Sequence, residues 1–90
     1  METIHTVRIR PEWIEAAIEG EGGMRNLAKR MGSTTSTISR HANGEVEASP
    51  RFIGTVLTEF PVRFQDAFDV VEEQVRVRRA RYVKQIKSAA

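Results

Sequence analysis

The sequence predicts a small, mainly α-helical domain whose two ends are joined by a two-stranded sheet. Three observations lead there. Ninety residues suffice for one domain with a modest core. Apolar residues recur every three or four positions through much of the chain, the period of helices packed on one side. Glycine and proline interrupt that pattern at Gly20, Gly22, Gly23, Gly32, Gly44, Pro50 and Pro61, cutting it into short helical pieces.

The elements follow in order. Residues 3–10 alternate toward their end, with Val7 and Ile9 on one side and Thr6, Arg8 and Arg10 on the other, which is a strand pattern. Pro11 ends the strand and suits the first position of a helix, where a missing N–H does no harm. Glu12 and Glu15 follow in the opening turn, favoured by the helix dipole. Ile14, Ala17 and Ile18 share the inner face of this first helix, and Trp13 caps the core. The second helix is expected from Met24 to Met31, with Leu27, Ala28 and Met31 inside and Arg25, Asn26, Lys29 and Arg30 outside. Gly32 closes it. Thr34 is the N-cap of a third helix that is anchored by Ile38 and ends near Asn43 and Gly44.

Ser49-Pro50 repeats the start signal. Phe52, Ile53, Val56, Leu57 and Phe60 then form the apolar stripe of a fourth helix, broken at Pro61. Residues 64–68 supply one further helical turn. Residues 69–72 read as a second strand whose evident partner is the first. Beyond Glu73 the pattern fades. Val71, Val75, Tyr82 and Ile86 fit one helical face, but Arg78 and Arg79 interrupt it, so a helix and a solvated tail both stay open. The division expected is a folded domain over 1–73 and a basic tail over 74–90.

Composition narrows the function. There is no cysteine, so neither disulfides nor a cysteine zinc cage is expected. His5 and His41 lie far apart without metal-ligand spacing, so no metal and no cofactor are expected. No apolar run approaches the roughly 20 residues that span a bilayer. No basic flank precedes an apolar stretch at the start, so no signal peptide is expected and the cytoplasm is the expected compartment. Asp66, Asp69, Glu72 and Glu73 form an acidic cluster without a nucleophile or histidine beside them, which reads as a solvated face rather than a catalytic site. His5 is expected on the surface and His41 partly buried. No enzymatic role is expected.

The net charge of +2 hides an asymmetry. Residues 1–73 carry eight Lys and Arg against twelve Asp and Glu, a net of −4. Residues 74–90 carry six bases and no acid: Arg76, Arg78, Arg79, Arg81, Lys84 and Lys87.

The most specific signal is the run from Leu27 to Arg40. Ala28 is small enough to let two helices approach, Gly32 permits the turn between them, and Ile38 anchors the second from beneath. This is the spacing of a helix-turn-helix, and the second helix is polar on its outer side. The run Leu27-Ala28-Lys29-Arg30-Met31-Gly32-Ser33-Thr34-Thr35-Ser36-Thr37-Ile38-Ser39-Arg40, then Gly44, then Ser49-Pro50, resembles the Cro/CI-like, or XRE-type, helix-turn-helix family, whose common pattern is similar to L-A-x-x-L-G-V-S-x-x-T-I-S-R-x-x-x-G-x-x-x-P-S. The likeness covers about residues 3–72 and looks like small versions found in actinobacterial phages and mobile elements. It implies a five-helix lambda-repressor-like domain.

The resemblance also implies DNA contacts. The third helix would lie in the major groove, with Thr35, Ser36, Ser39, Arg40 and Asn43 reaching base edges. Arg25, Asn26, Thr34 and Arg51, near helix starts, would hold phosphates. The tail bases from Arg76 to Lys87 would track the backbone beside them. Two positions depart from the pattern. Ser33 replaces an apolar turn residue, and the loop Glu45-Val46-Glu47-Ala48 is acidic where the family is often basic.

The function expected is sequence-specific binding of double-stranded DNA by a phage or mobile-element transcriptional regulator, as a homodimer, in a bacterial cytoplasm at the nucleoid. The rival is a helix-turn-helix scaffold that binds a host protein or an antitoxin-type partner, which the acidic body and the Glu45/Glu47 loop favour. Non-specific nucleoid binding through the tail is a third reading. The tail itself has three roles open: following phosphates, pairing with a second subunit or host protein through Val75, Tyr82 and Ile86, or solubilising the chain. Its apolar face is too sparse for a membrane-surface helix.

Overall fold

The computed structural model describes residues 2–75. Five helices and one two-stranded antiparallel sheet make up a mixed helix–strand domain. In chain order they are β1 (Glu2–Ile9), α1 (Pro11–Gly20), α2 (Met24–Arg30), α3 (Thr35–Ala42), α4 (Pro50–Glu59), α5 (Phe64–Ala67) and β2 (Phe68–Val75). The strands pair in continuous register from Glu2 opposite Val75 to Ile9 opposite Phe68.

The sheet is longer than the sequence suggests. β2 was expected over 69–72 and runs from Phe68 to Val75, two residues past the expected boundary at 73. The physical cause is the partner strand: β1 starts at Glu2, so the ladder has something to pair with as far as Val75. Val71 and Val75 therefore belong to β2 and not to a helical stripe. Tyr82, Ile86 and the tail bases Arg76, Arg78, Arg79, Arg81, Lys84 and Lys87 lie outside the described residues.

Helix ends follow local chemistry. Pro11 opens α1 from an extended Arg10, and Pro50 opens α4 behind Ser49, whose hydroxyl accepts the Phe52 N–H at 3.1 Å. α2 closes on a two-bond motif: the Ser33 N–H donates to the Ala28 carbonyl at 2.8 Å and the Gly32 N–H to Lys29 at 3.2 Å. That closure needs the left-handed backbone found at Gly32, φ +62°. α3 ends the same way at Gly44, φ +70°, with the Glu45 N–H on Arg40 and the Gly44 N–H on His41. α4 stops at Phe60, which is extended because the following Pro61 disfavours helical backbone before it.

The core is built from one or two residues per element. Phe68, Ile14, Leu27, Ile38 and Val56 are the largest fully buried side chains, with Ile9, Ala28, Met31, Ala48, Phe52 and Ala67 around them. Phe68 stands edge-on to Phe52 and stacked on Phe64, at centroid distances of 6.2 and 5.3 Å. It lies opposite Ile9 in the sheet, so the inner end of the strand pair closes the helical core. Leu57 departs from expectation: it is 37 % exposed. The body is small, and the buried side of α4 is the Phe52–Val56 line, leaving Leu57 at its rim. Trp13 caps the core as expected, edge-on to Phe60 at 5.2 Å.

Two arginines bind the periphery to this core. Arg8 on β1 donates from Nε to Glu73 at 2.5 Å and from Nη1 to the Gly44 carbonyl at 3.0 Å, so it ties the sheet to the end of α3. Thr6 is also buried and donates its hydroxyl to Glu73 at 3.0 Å. Arg30 pairs with Glu21 at 2.8 Å, bonds the Glu59 carbonyl, and lies 4.0 Å above the Phe60 ring. From the end of α2 it thereby joins the end of α1 to the end of α4.

Candidate nucleic-acid interface

α3 divides cleanly into two sides. Ile38 is fully buried and His41 is 6 % exposed on the inner side, while Thr35, Ser36, Arg40 and Asn43 are exposed and Ser39 half-exposed on the outer. The helical period alone separates these sets, because the apolar anchor and the hydroxyl residues fall on opposite sides of the axis. Thr34 caps the helix, accepting the Thr37 N–H at 3.2 Å, and its hydroxyl also meets that of Thr37 at 3.1 Å.

Of the residues expected to read bases, Thr35, Ser36, Ser39 and Arg40 come together, lining one shallow open concavity with Met24 and Glu45. Asn43 sits beside them and donates from Nδ2 to Ser39 Oγ and to Glu45 Oε2, each at 3.4 Å. Glu45 therefore brings a carboxylate to the same surface as Arg40. Sequence reasoning flagged Glu45 without placing it. The signal was present in Gly44: the two-bond helix closure puts the second residue after the helix end back against its last turn. Glu47 is also exposed and lies near enough to Arg8 to favour its charge.

The residues expected on phosphates are spread more widely. Arg25 and Asn26 start α2 and Arg51 starts α4, all exposed. Asn26 is already engaged, its Nδ2 donating to the Glu21 carbonyl at 2.9 Å. Arg51 lines a second cleft with Ser33, Thr37, His41, Phe52 and Thr55, between the α2–α3 turn and α4, and no acid lines it. Arg8, Arg10, Arg30 and Arg63 form ion pairs. Among the described residues Arg25, Lys29, Arg40 and Arg51 form none. Half of the body's cations are thus engaged in holding the fold, and the other half lie on α2, α3 and α4 around the helix pair.

His41 was expected to be partly buried and is nearly fully so. Its ring stacks on Phe52 at 3.7 Å, and its Nδ1 has no hydrogen-bond partner among the described residues. Burial first, then the Arg8 cation, holds its imidazole below the ordinary histidine range, so the ring is neutral at pH 7. His5 is exposed on β1. Among the described residues no three His, Cys, Asp or Glu side chains converge as a metal site requires. No described helix is long and apolar enough to cross a membrane.

Comparison with protein-family models, with curated proteins and with solved structures returned no match for this chain.

Proposed function

We propose that this protein is a sequence-specific reader of double-stranded DNA, in which α3 enters the major groove and the exposed side of the α2–α3 pair rests on the backbone. The observation that carries the reading is the outer face of α3. Hydroxyls and Arg40, which forms no ion pair among the described residues, stand together on a helix anchored from beneath by Ile38. Ser and Thr hydroxyls both donate and accept, which suits mixed base edges, and Arg40 can address a guanine bidentately. In this reading the domain is a mainly helical, lambda-repressor-like variant with an enlarged sheet. Two copies occupy two half-sites, and the protein is a transcriptional regulator of phage or mobile-element origin working in a bacterial cytoplasm. Occupancy of the site is its mode of action, and no catalytic step is assigned to it.

Selected duplex DNA, titrated across a salt series, tests this. Arg40→Ala should cost about 1–3 kcal/mol on the preferred sequence and little on random DNA. Removing residues 76–90, which leaves β2 whole, should flatten the salt slope by roughly 0.9 for each phosphate that the tail neutralises. If the full chain ignores duplex DNA at low salt, the reading fails.

A second reading has its own support. Glu45 presents a carboxylate beside Arg40 on a body with a net charge of −4, a surface suited to a partner protein with basic and acidic groups of its own. Failure of DNA binding together with retention of a host or antitoxin-type protein through α3, abolished in Arg40→Ala, is the result that would favour it.

A further inference from the structure

The outer edge of β2 carries backbone donors and acceptors that meet no backbone partner among the described residues. The ladder shows which they are. The Arg10 N–H donates to the Ala67 carbonyl at 2.7 Å, one step beyond the Ile9–Phe68 pair, so Arg8, Thr6 and Ile4 turn their backbone groups inward toward Asp69, Val71 and Glu73. The residues between them turn theirs outward. On β1 the outward Val7 carbonyl is taken by the Ala48 N–H at 2.7 Å, so the loop between α3 and α4 covers that edge at its inner end. On β2 the outward residues are Val70, Glu72 and Gln74, and the Val70 side chain is 58 % exposed. A strand edge left open in this way is a template for a further strand.

The charges along this edge say what kind of strand fits it. β2 carries Asp69, Glu72 and Glu73 and no base. Glu73 is paired with Arg8 and Asp69 with Arg10, whereas Glu72 forms no ion pair among the described residues. Val70 and Val71 lie between the acids. A second copy of β2 would bring the same acids to the joint; a basic strand brings their counter-charges. We propose that the outer edge of β2 binds an extended basic segment of a partner protein, which joins the sheet as a third, antiparallel strand. The backbone of Val70, Glu72 and Gln74 makes the hydrogen bonds. Glu72 takes a lysine or arginine directly opposite it, and Val70 takes an apolar side chain two places further along the segment.

A fluorescein-labelled peptide containing the run Lys-Lys-Val-Val-Lys is the probe. Laid antiparallel, it sets lysines against Glu73, Glu72 and Asp69 and valines against Val71 and Val70. Fluorescence anisotropy with the full chain at low salt should show saturable binding. The same peptide N-methylated at its second lysine and second valine keeps every charge but loses the donors that face Glu72 and Val70, and should not bind. Val70→Pro removes an N–H that points outward, a change an edge strand tolerates, and should weaken binding about tenfold. Glu72→Lys sets like charges face to face and should weaken it about fivefold. Circular dichroism melts check the fold of both variants, and Glu72→Lys carries the test if the proline variant unfolds. No saturable binding, equal binding of the N-methylated peptide, or indifference to Glu72→Lys would overturn the proposal. So would a dimer of the chain in sedimentation that Val70→Pro abolishes and the peptide does not displace, which would give the edge to a second copy. The edge shares no residue with the outer face of α3, so the test needs no DNA, and failure of DNA binding would leave the proposal standing.

Discussion

His41 lies flat against Phe52, the ring planes 4° from parallel and the centroids 3.7 Å apart. The stack joins the inner side of α3 to the first turn of α4. The face that α3 presents outward is therefore set partly by a titratable ring, and that ring has a nitrogen without a partner among the described residues.

Acid should loosen this stack. Burial, with Arg8 second, lowers the His41 pKa from its ordinary value of 6.5. The unfolded chain then takes up the proton first, so the contribution is complete above about pH 6.5 and declines as pH falls toward the folded value. The thermal midpoint of the full chain should drop between about pH 7 and pH 5. His41→Phe keeps a stacked ring and should remove that part of the drop. At neutral pH it should be as stable as the parent or more so, since it deletes the orphaned nitrogen. Asp66 and Glu73 are held below their ordinary values of 3.8 and 4.5, chiefly by side-chain bonds from Arg63 and Arg8. Their contributions are present above those values and fall away only at lower pH. An unaltered slope between pH 7 and 5 in the Phe variant would remove His41 as the cause.

Gly32 and Gly54 should respond to alanine with opposite signs. A Cβ at either meets nothing within 4 Å, so space does not decide. Gly32 has φ +62°, which costs an L-residue roughly 1–2 kcal/mol. Gly54 lies inside α4 with ordinary helical backbone, where alanine gains about 0.5–1 kcal/mol through propensity and a less free unfolded chain. Denaturant unfolding of the two variants measures both. A destabilised Gly54→Ala would mean that α4 is not the continuous helix described.

Arg8 and Glu73 should show favourable coupling in a double-mutant cycle built from Arg8→Ala and Glu73→Gln. The coupling should fade as pH falls below 4.5, where the carboxylate takes up its proton. Arg8→Ala should also speed amide exchange over residues 44–48, because its second bond holds the Gly44 carbonyl. Unchanged exchange there would confine Arg8 to the sheet.

Glu45→Gln should tighten DNA binding by about threefold at low salt, with the gain shrinking as salt rises. The substitution removes a negative charge beside Arg40 and leaves an acceptor for Asn43. Weaker binding would indicate that the carboxylate itself meets a donor on the ligand, as the protein-partner reading requires.

The helical pieces were legible because their signals are local. Pro11, Pro50 and Pro61 act on their own and neighbouring backbone, Thr34 and Ser49 on N–H groups three residues on, and Gly32 and Gly44 on the turn that contains them. The two sides of α3 followed from the helical period for the same reason. Phe68 was read as the last residue of a helical turn and proved to be a buried strand residue at the centre of the core. Nothing near it in sequence names Ile9 as its partner.

The sequence by itself determined where the helices start and stop, which side of α3 is polar, and that acids precede bases at the end of the body. Tertiary structure alone decided how far the sheet extends, that Arg8 holds Gly44, that His41 is sealed against Phe52, and that Glu45 shares a surface with Arg40. The first set depends on torsions and hydrogen bonds within a few residues. The second depends on groups far apart in the chain, Arg8 and Glu73 by 65 positions, which meet only when burial of the core brings their elements together.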